Sequence, residues 1–281
     1  MKKLFSLLFL TLFSLSLTGC GTSIGIYSDA DKYLIGNQTY SESISSLDID
    51  WLSGKLTLVE DETIEGIKIE EETNLTNEKE LVHSYLKDGE LKIKFFASGY
   101  HKMGFTSFKK DLTVTYHPGI ASIEIDITSG NLIAESITAD KINIEMTSGS
   151  SKIGTIISKD VEIDFTSGNM TIENVATDNF DAEMTSGDMT VTHITANTFD
   201  ADMTSGDIKV GFDDISEASF DITSGKIDMT LPSSGGKVKV DKTSGRVNAI
   251  RQCSVDNNLY KFDDGVANIK VKMTSGTLTI R

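Results

Sequence analysis

The sequence predicts an all-β fold, a single-chain parallel β-solenoid with about 19 residues and two short strands per rung. The first observation is a fixed period. Thr-Ser-Gly recurs at Thr128, Thr147, Thr166, Thr185 and Thr204, then at Thr223, Thr243 and Thr274 as the spacing loosens to 20 and 31. The second is alternation: counting Thr as position 0, apolar residues fall at positions 4 and 6 and again at 14, 16 and 18. That is a strand period, not a helical one. The third is size. A unit this small cannot bury its apolar side alone, so copies must stack, each strand pairing in parallel with its counterpart roughly 4.8 Å away. Parallel crossovers are right-handed in nearly all cases, which favours a right-handed coil.

Within the rungs, position 14 reads Ile142, Val161, Phe180, Phe199 and Ala218, and position 16 reads Ile144, Ile163, Ala182, Ala201 and Phe220. Large and small side chains thus exchange places between neighbouring inward columns, as a close-packed core requires. Position 18 reads Met146, Phe165, Met184, Met203 and Ile222, which makes the methionines core residues by phase and not a metal-binding set. Thr-Ser-Gly is the tight corner: glycine reaches backbone conformations closed to other residues, and inward parity changes across it as at a bulge. The hydroxyls can hydrogen-bond up the stack. No His or acid recurs beside the serines, so they lack the partners nucleophilic catalysis needs.

The chain opens with Lys2 and Lys3, an apolar run from Leu4 to Leu17, then Thr18-Gly19-Cys20. This is a signal peptide over 1–19, too short for a comfortable membrane span. Leu17-Thr18-Gly19-Cys20 resembles the bacterial lipobox, which implies acylation of Cys20 and anchoring to a membrane by lipid. Loss of Lys2 and Lys3, with no acid, takes the formal charge from −16 to −18. Cys253 then remains the one thiol, with no disulfide available. Residues 20–43 read as the lipidated Cys and a polar tether, and 44–281 as the solenoid domain. Irregular rungs are expected over 44–122, the regular array over 123–231 and a C-terminal cap over 232–281. Gly54 lies 76 residues before Gly130, four periods of 19, which places irregular coils between them. The charged stretch Glu70 to Asp88 reads as an exposed loop or short helix, and Phe96 to Phe108 as a loop carrying aromatics. Pro118 and Pro232 sit at breaks between strands, as the missing N–H demands. Ile250 to Gly265 is an insertion, and Val266 to Ile280 is expected to close the last rung.

Outward positions of the second strand carry acids copy after copy. Position 17 reads Glu145, Asp164, Glu183, Asp202 and Asp221, preceded by Asp126. Position 15 adds Glu124, Glu162, Asp181 and Asp200, with Asn143 and Ser219 as exceptions. On a stacked sheet these form two adjacent carboxylate ladders, a repeated cost of about 1 kcal/mol per close pair in water. Solubility is one reason for them; a surface for cationic partners is the other, whether Ca²⁺, a basic peptide or a basic protein domain. Flat strands offer few converging oxygens, so diffuse cation binding is favoured over a Ca²⁺ cage. From Lys237 to Arg281 nine bases face four acids, a net of +5, whereas 120–222 carries 20 acids and 4 bases, a net of −16. Such polarity along the axis permits head-to-tail self-association. Nucleic acid is disfavoured by the charge. His83, His101, His117 and His193 lie in unrelated contexts and read as surface or loop residues. The acids follow the period instead of forming one pair in a cleft, so no enzyme, such as a polysaccharide hydrolase, and no cofactor is expected.

Leu47-Asp48-Ile49-Asp50 with Ser53-Gly54, Leu91-Lys92-Ile93, Leu112-Thr113-Val114 with Pro118, the Thr-Ser-Gly units and the closing Ile269 to Gly276 carry a further resemblance. Over residues 44 to 281 the chain resembles a widespread bacterial family of adhesin-like domains of unknown function, built as Ser-Gly-punctuated β-solenoids. The resemblance implies the fold, brings no catalytic residues, and points to envelope stress responses, since some relatives look like components of them at Gram-positive membranes. The resulting expectation is a lipid-anchored extracytoplasmic domain with a non-catalytic binding or sensing role. Adhesion to a surface is the alternative, with the Phe95 to Phe108 loop as its apolar patch, and a structural spacer comes third.

Overall fold

The computed structural model describes residues 21–23, 25–103 and 108–281, so the signal peptide and Cys20 lie outside the described residues. Rungs stack in register at the sequence period. Lys141–Met146 pairs in parallel with Asp160–Phe165, that strand with Asn179–Met184, and that with 198–203, each partner 19 residues on. The second strand of each rung follows suit, Ser151 facing Met170 and Met170 facing Met189. The columns of positions 14, 16 and 18 are buried throughout. Their Phe/Ala exchange is a packing solution: the Phe180 and Phe199 rings stack at 5.1 Å, and Phe199 then meets Phe220, from the neighbouring column, at 5.3 Å.

The corner glycines are needed twice over. Gly168 has φ +129°, and a Cβ there would stand 2.2 Å from the Gly149 carbonyl oxygen of the preceding rung. The serines beside them donate upward: Ser148, Ser167 and Ser186 Oγ reach the carbonyls of Thr128, Thr147 and Thr166 at 3.2, 3.3 and 3.2 Å. The second strand does not end after position 6. Two outward residues in succession turn the chain, and position 9 points inward again at Ile137, Ile156, Val175 and Ile194, all buried. In the fifth copy Phe212, at position 8, takes the place of Ile194 across a register shift.

The ends depart from the expected order. Gly54 stacks directly on Gly130, so the strand Ser46–Glu60 is the immediate neighbour of the array and no coils separate them. Residues 61–119 instead form an excursion onto the other edge of that strand. Leu47 pairs with Leu91 and Leu56 with Leu112, which makes Glu90–Lys94 and Lys110–Tyr116 the outermost rung. Its open edge is covered by antiparallel strands, Ile67–Thr73 and His83–Lys87. The stretch 70–88 is therefore not an exposed loop or helix: Val82 and Ser84 are fully buried, and only Glu78–Glu80 forms a 3₁₀ turn. The charges there are absorbed in pairs, above all Glu71 with the buried Lys110.

Residues 25–43 are likewise not a free tether. Leu34–Ile35 pairs with His83–Lys87 and Gln38–Tyr40 with Ile67–Thr73, because those covering strands have edges of their own to satisfy. At the far end the last strands in sequence, Ala267–Met273 and Thr277–Ile280, lie between 217–230 and 236–249. The terminal rung is therefore 236–249, capped by the antiparallel strand Leu259–Phe262. Both ends thus place the strand nearest the domain's own terminus one rung in from the edge.

Candidate cation-binding face

Parity puts positions 15 and 17 outward, and the 19-residue register aligns them rung upon rung. Position 17 brings together Asp126, Glu145, Asp164, Glu183, Asp202 and Asp221; position 15 brings together Glu124, Glu162, Asp181 and Asp200. The direct stacking of Ser46–Glu60 on the array adds two acids that the sequence reading left out, Asp48 opposite Glu124 and Asp50 opposite Asp126. A separation of 76 residues hid them. The position-17 ladder then runs from Asp50 to Asp221 over seven rungs, about 29 Å at the usual strand spacing.

Lysines close both ends. Lys94 Nζ lies 3.1 Å from Asp48 and 2.5 Å from Asp50, with Lys92 3.4 Å from Asp48. At the other end Lys272 stands opposite Asp221 at 3.5 Å, and Lys270 opposite Ser219. Between them Lys141 reaches Glu162 at 3.6 Å. Among the described residues Glu145, Asp164, Glu183 and Asp202 have no basic side chain in ion-pair range.

The crowding shows in proton affinity. Burial against the sheet, then the neighbouring carboxylates Glu183 and Glu162, push Asp164 up to about 6. Asp181 rises to about 6 through burial and then Asp200. Asp126 rises furthest, through burial and then a hydrogen bond shared with Asp50. Glu124, Asp200 and Asp202 are raised as well, burial first and then like charge.

The next outward column, at position 5, is different. It reads Thr57, Ile133, Lys152, Thr171, Thr190, Lys209 and Asp228, a mixture with one acid. Acids do occur on this sheet, at Glu135, Glu173, Asp188 and Asp207, but the column that is acidic at every rung is on the other one.

Among the described residues no other sequence feature assembles into a site. Five of the eight Thr-Ser-Gly serines donate within the stack, Ser148, Ser167, Ser186, Ser244 and Ser275. His83 is buried and bonded through Nδ1 to the Leu81 carbonyl at 2.8 Å, so it is not a surface residue. His101 and His117 are exposed, while His193, also exposed, pairs with Asp213 at 3.1 Å. Cys253 is a half-buried free thiol. Among the described residues no three His, Cys, Asp or Glu side chains are arranged to hold a metal ion.

The described aromatics of the patch proposed for adhesion turn inward. Phe95 and Phe96 are fully buried, and Tyr100 and Phe108 pack against the core. Their centre is the Lys110 ammonium, 5.3 Å from the Trp51 ring, 4.8 Å from Phe95 and 5.3 Å from Phe96. Burial pulls Lys110 down to about 8 despite Glu71 beside it. Residues 104–107 lie outside the described part.

Residues 44–281 match the family model described as Toastrack DUF4097. The chain belongs to this family. Among solved structures, one described as a putative adhesin from Parabacteroides merdae is 13% identical, with a TM-score of 0.54 and coverage of 92% of this chain and 98% of that one. Another putative adhesin, from Parabacteroides distasonis, is 14% identical at TM-score 0.50, covering 94% and 98%. A third, a putative lipid binding protein from the same species, is 16% identical at TM-score 0.50, covering 88% and 97%. At these identities the likeness is one of fold. Among curated proteins no relative matches the sequence.

Proposed function

We propose that the protein is a lipid-anchored extracytoplasmic binding or sensing module, non-catalytic, whose acidic face receives cationic partners at the cell envelope. The observation that carries this reading is the position-17 column, acidic at every rung from Asp50 to Asp221. Solubility alone would be served by acids on either sheet, yet position 5 carries Thr and Lys where positions 15 and 17 carry carboxylates. Repeated repulsion on one face is a standing cost that a bound cation relieves. The ligand class is a basic peptide or basic protein segment lying along the ladder, with Ca²⁺ held diffusely. Anchoring through acylated Cys20 rests on the lipobox-like Leu17 to Cys20. Adhesion is the second reading, supported by the names of the two adhesin-like relatives.

The test is calorimetric titration of the soluble chain, residues 21–281, with an oligolysine peptide and with Ca²⁺, beside the variant Glu183→Thr, Asp202→Thr, Asp221→Thr. Salt-dependent binding lost in the variant supports recognition by the ladder. Equal behaviour of the two proteins sinks it.

A further inference from the structure

We infer that the outer surface of the N-terminal cap is a membrane-seating face, so that the lipid anchor holds the domain docked on the bilayer and not on a loose stalk. The inference rests on the lipoprotein reading of Cys20 and adds the surface that meets the lipid.

The chain leaving Cys20 is fastened at once. Strand Gly21–Ser23 pairs antiparallel with His101–Met103, and the Gly99 amide donates to the Gly25 carbonyl at 3.2 Å. The Tyr27 amide donates to Ser98 Oγ at 3.0 Å and its hydroxyl to the Phe96 carbonyl at 3.1 Å. Gly25 lies five residues after Cys20, at most about 18 Å away when fully extended. An acyl chain on Cys20 therefore brings this face to the bilayer.

The face has the composition of a membrane interface. Ile26 is 92% exposed, Leu34 50% and Ile35 42%; the last two, successive on the outermost strand, flank its free edge from opposite sides. Beside them three tyrosine rings pack in series at tilted angles, Tyr27 to Tyr33 at 4.6 Å and Tyr33 to Tyr85 at 5.3 Å. Lys32 sits 5.9 Å from the Tyr85 ring centre. Aliphatic tips flanked by tyrosine and lysine, with one end apolar and the other wet, suit the headgroup boundary. Leu34–Ile35 is also the outermost strand of the stack beyond His83–Lys87, and among the described residues no strand pairs with its other edge. With this face seated, successive rungs rise from the bilayer, and the basic far end stands farthest from it.

The test uses the full chain purified from bacterial membranes and reconstituted into vesicles of phosphatidylcholine and phosphatidylglycerol with brominated acyl chains. Intact mass shows separately whether Cys20 is acylated. A Leu34→Trp reporter on the cap is compared with Ile133→Trp on the array, against the constant background of buried Trp51. The expected result is blue-shifted, bromine-quenched emission from Leu34→Trp only, lost when Ile26→Asp and Ile35→Asp are added. In the non-acylated chain those two aspartates should weaken vesicle binding about tenfold. Equal emission from the two reporters in the acylated chain overturns the inference. If the mass shows no acyl group, the lipoprotein reading fails. The same comparison with excess vesicles then decides the seating face on its own.

Discussion

Asp164→Asn tests whether the ladder stores repulsion. Asp164 stands between Glu145 and Glu183 on adjacent rungs, with no basic side chain in ion-pair range among the described residues. At about 4.8 Å each neighbour contributes roughly 0.9 kcal/mol of repulsion at the dielectric of water, so two contribute about 1–2 kcal/mol after screening. Because its folded-state value is raised to about 6 from 3.8, the folded chain binds more protons than the unfolded chain between those values. Stability is then lost as pH rises through that window, the reverse of an ion-paired aspartate. Asparagine keeps the shape and removes the charge. The variant should therefore be more stable than the parent by about 1–2 kcal/mol near pH 8 and indistinguishable near pH 4, with the gain shrinking in high salt. Urea midpoints at the two pH values measure this directly. A variant less stable than the parent at pH 8, or a difference independent of pH, would refute the stored repulsion.

Three further outcomes follow from the packing. Gly187→Ala, whose Cβ would stand 2.2 Å from the Gly168 carbonyl oxygen at φ +116°, should cost about 3 kcal/mol or more. Gly119→Ala, equally strained at φ +102° but with open space around it, should cost clearly less by thermal melting. Glu71→Gln leaves the Lys110 ammonium buried without its counter-ion and should destabilise by about 3–5 kcal/mol in urea, whereas replacing both residues by apolar ones should cost much less. Deletion of 267–281 should strip hydrogen-exchange protection from the retained strand Gly236–Lys242, because the deleted strand joins it to the rest of the sheet. Unchanged protection there would mean that the rungs follow chain order.

The repeat itself determined much of this protein. A 19-residue period fixes the parallel register, and alternation within it fixes which side chains face inward, since a pleated strand leaves no other choice. The Phe180, Phe199, Phe220 core and the carboxylate ladder from Asp126 to Asp221 were legible for that reason. What the sequence concealed lies where local periodicity stops. Position 9 was missed because two outward residues in a row break the alternation that reveals an inward one. Asp48 and Asp50 joined the ladder, Phe95 and Phe96 turned inward, and residues 25–43 became part of the cap only through partners tens of residues away. Those pairings arise because every exposed strand edge must find hydrogen-bond partners, and which segment supplies them depends on the whole chain's return path. Local pattern decided the rungs; the unsatisfied edges at each end decided their order.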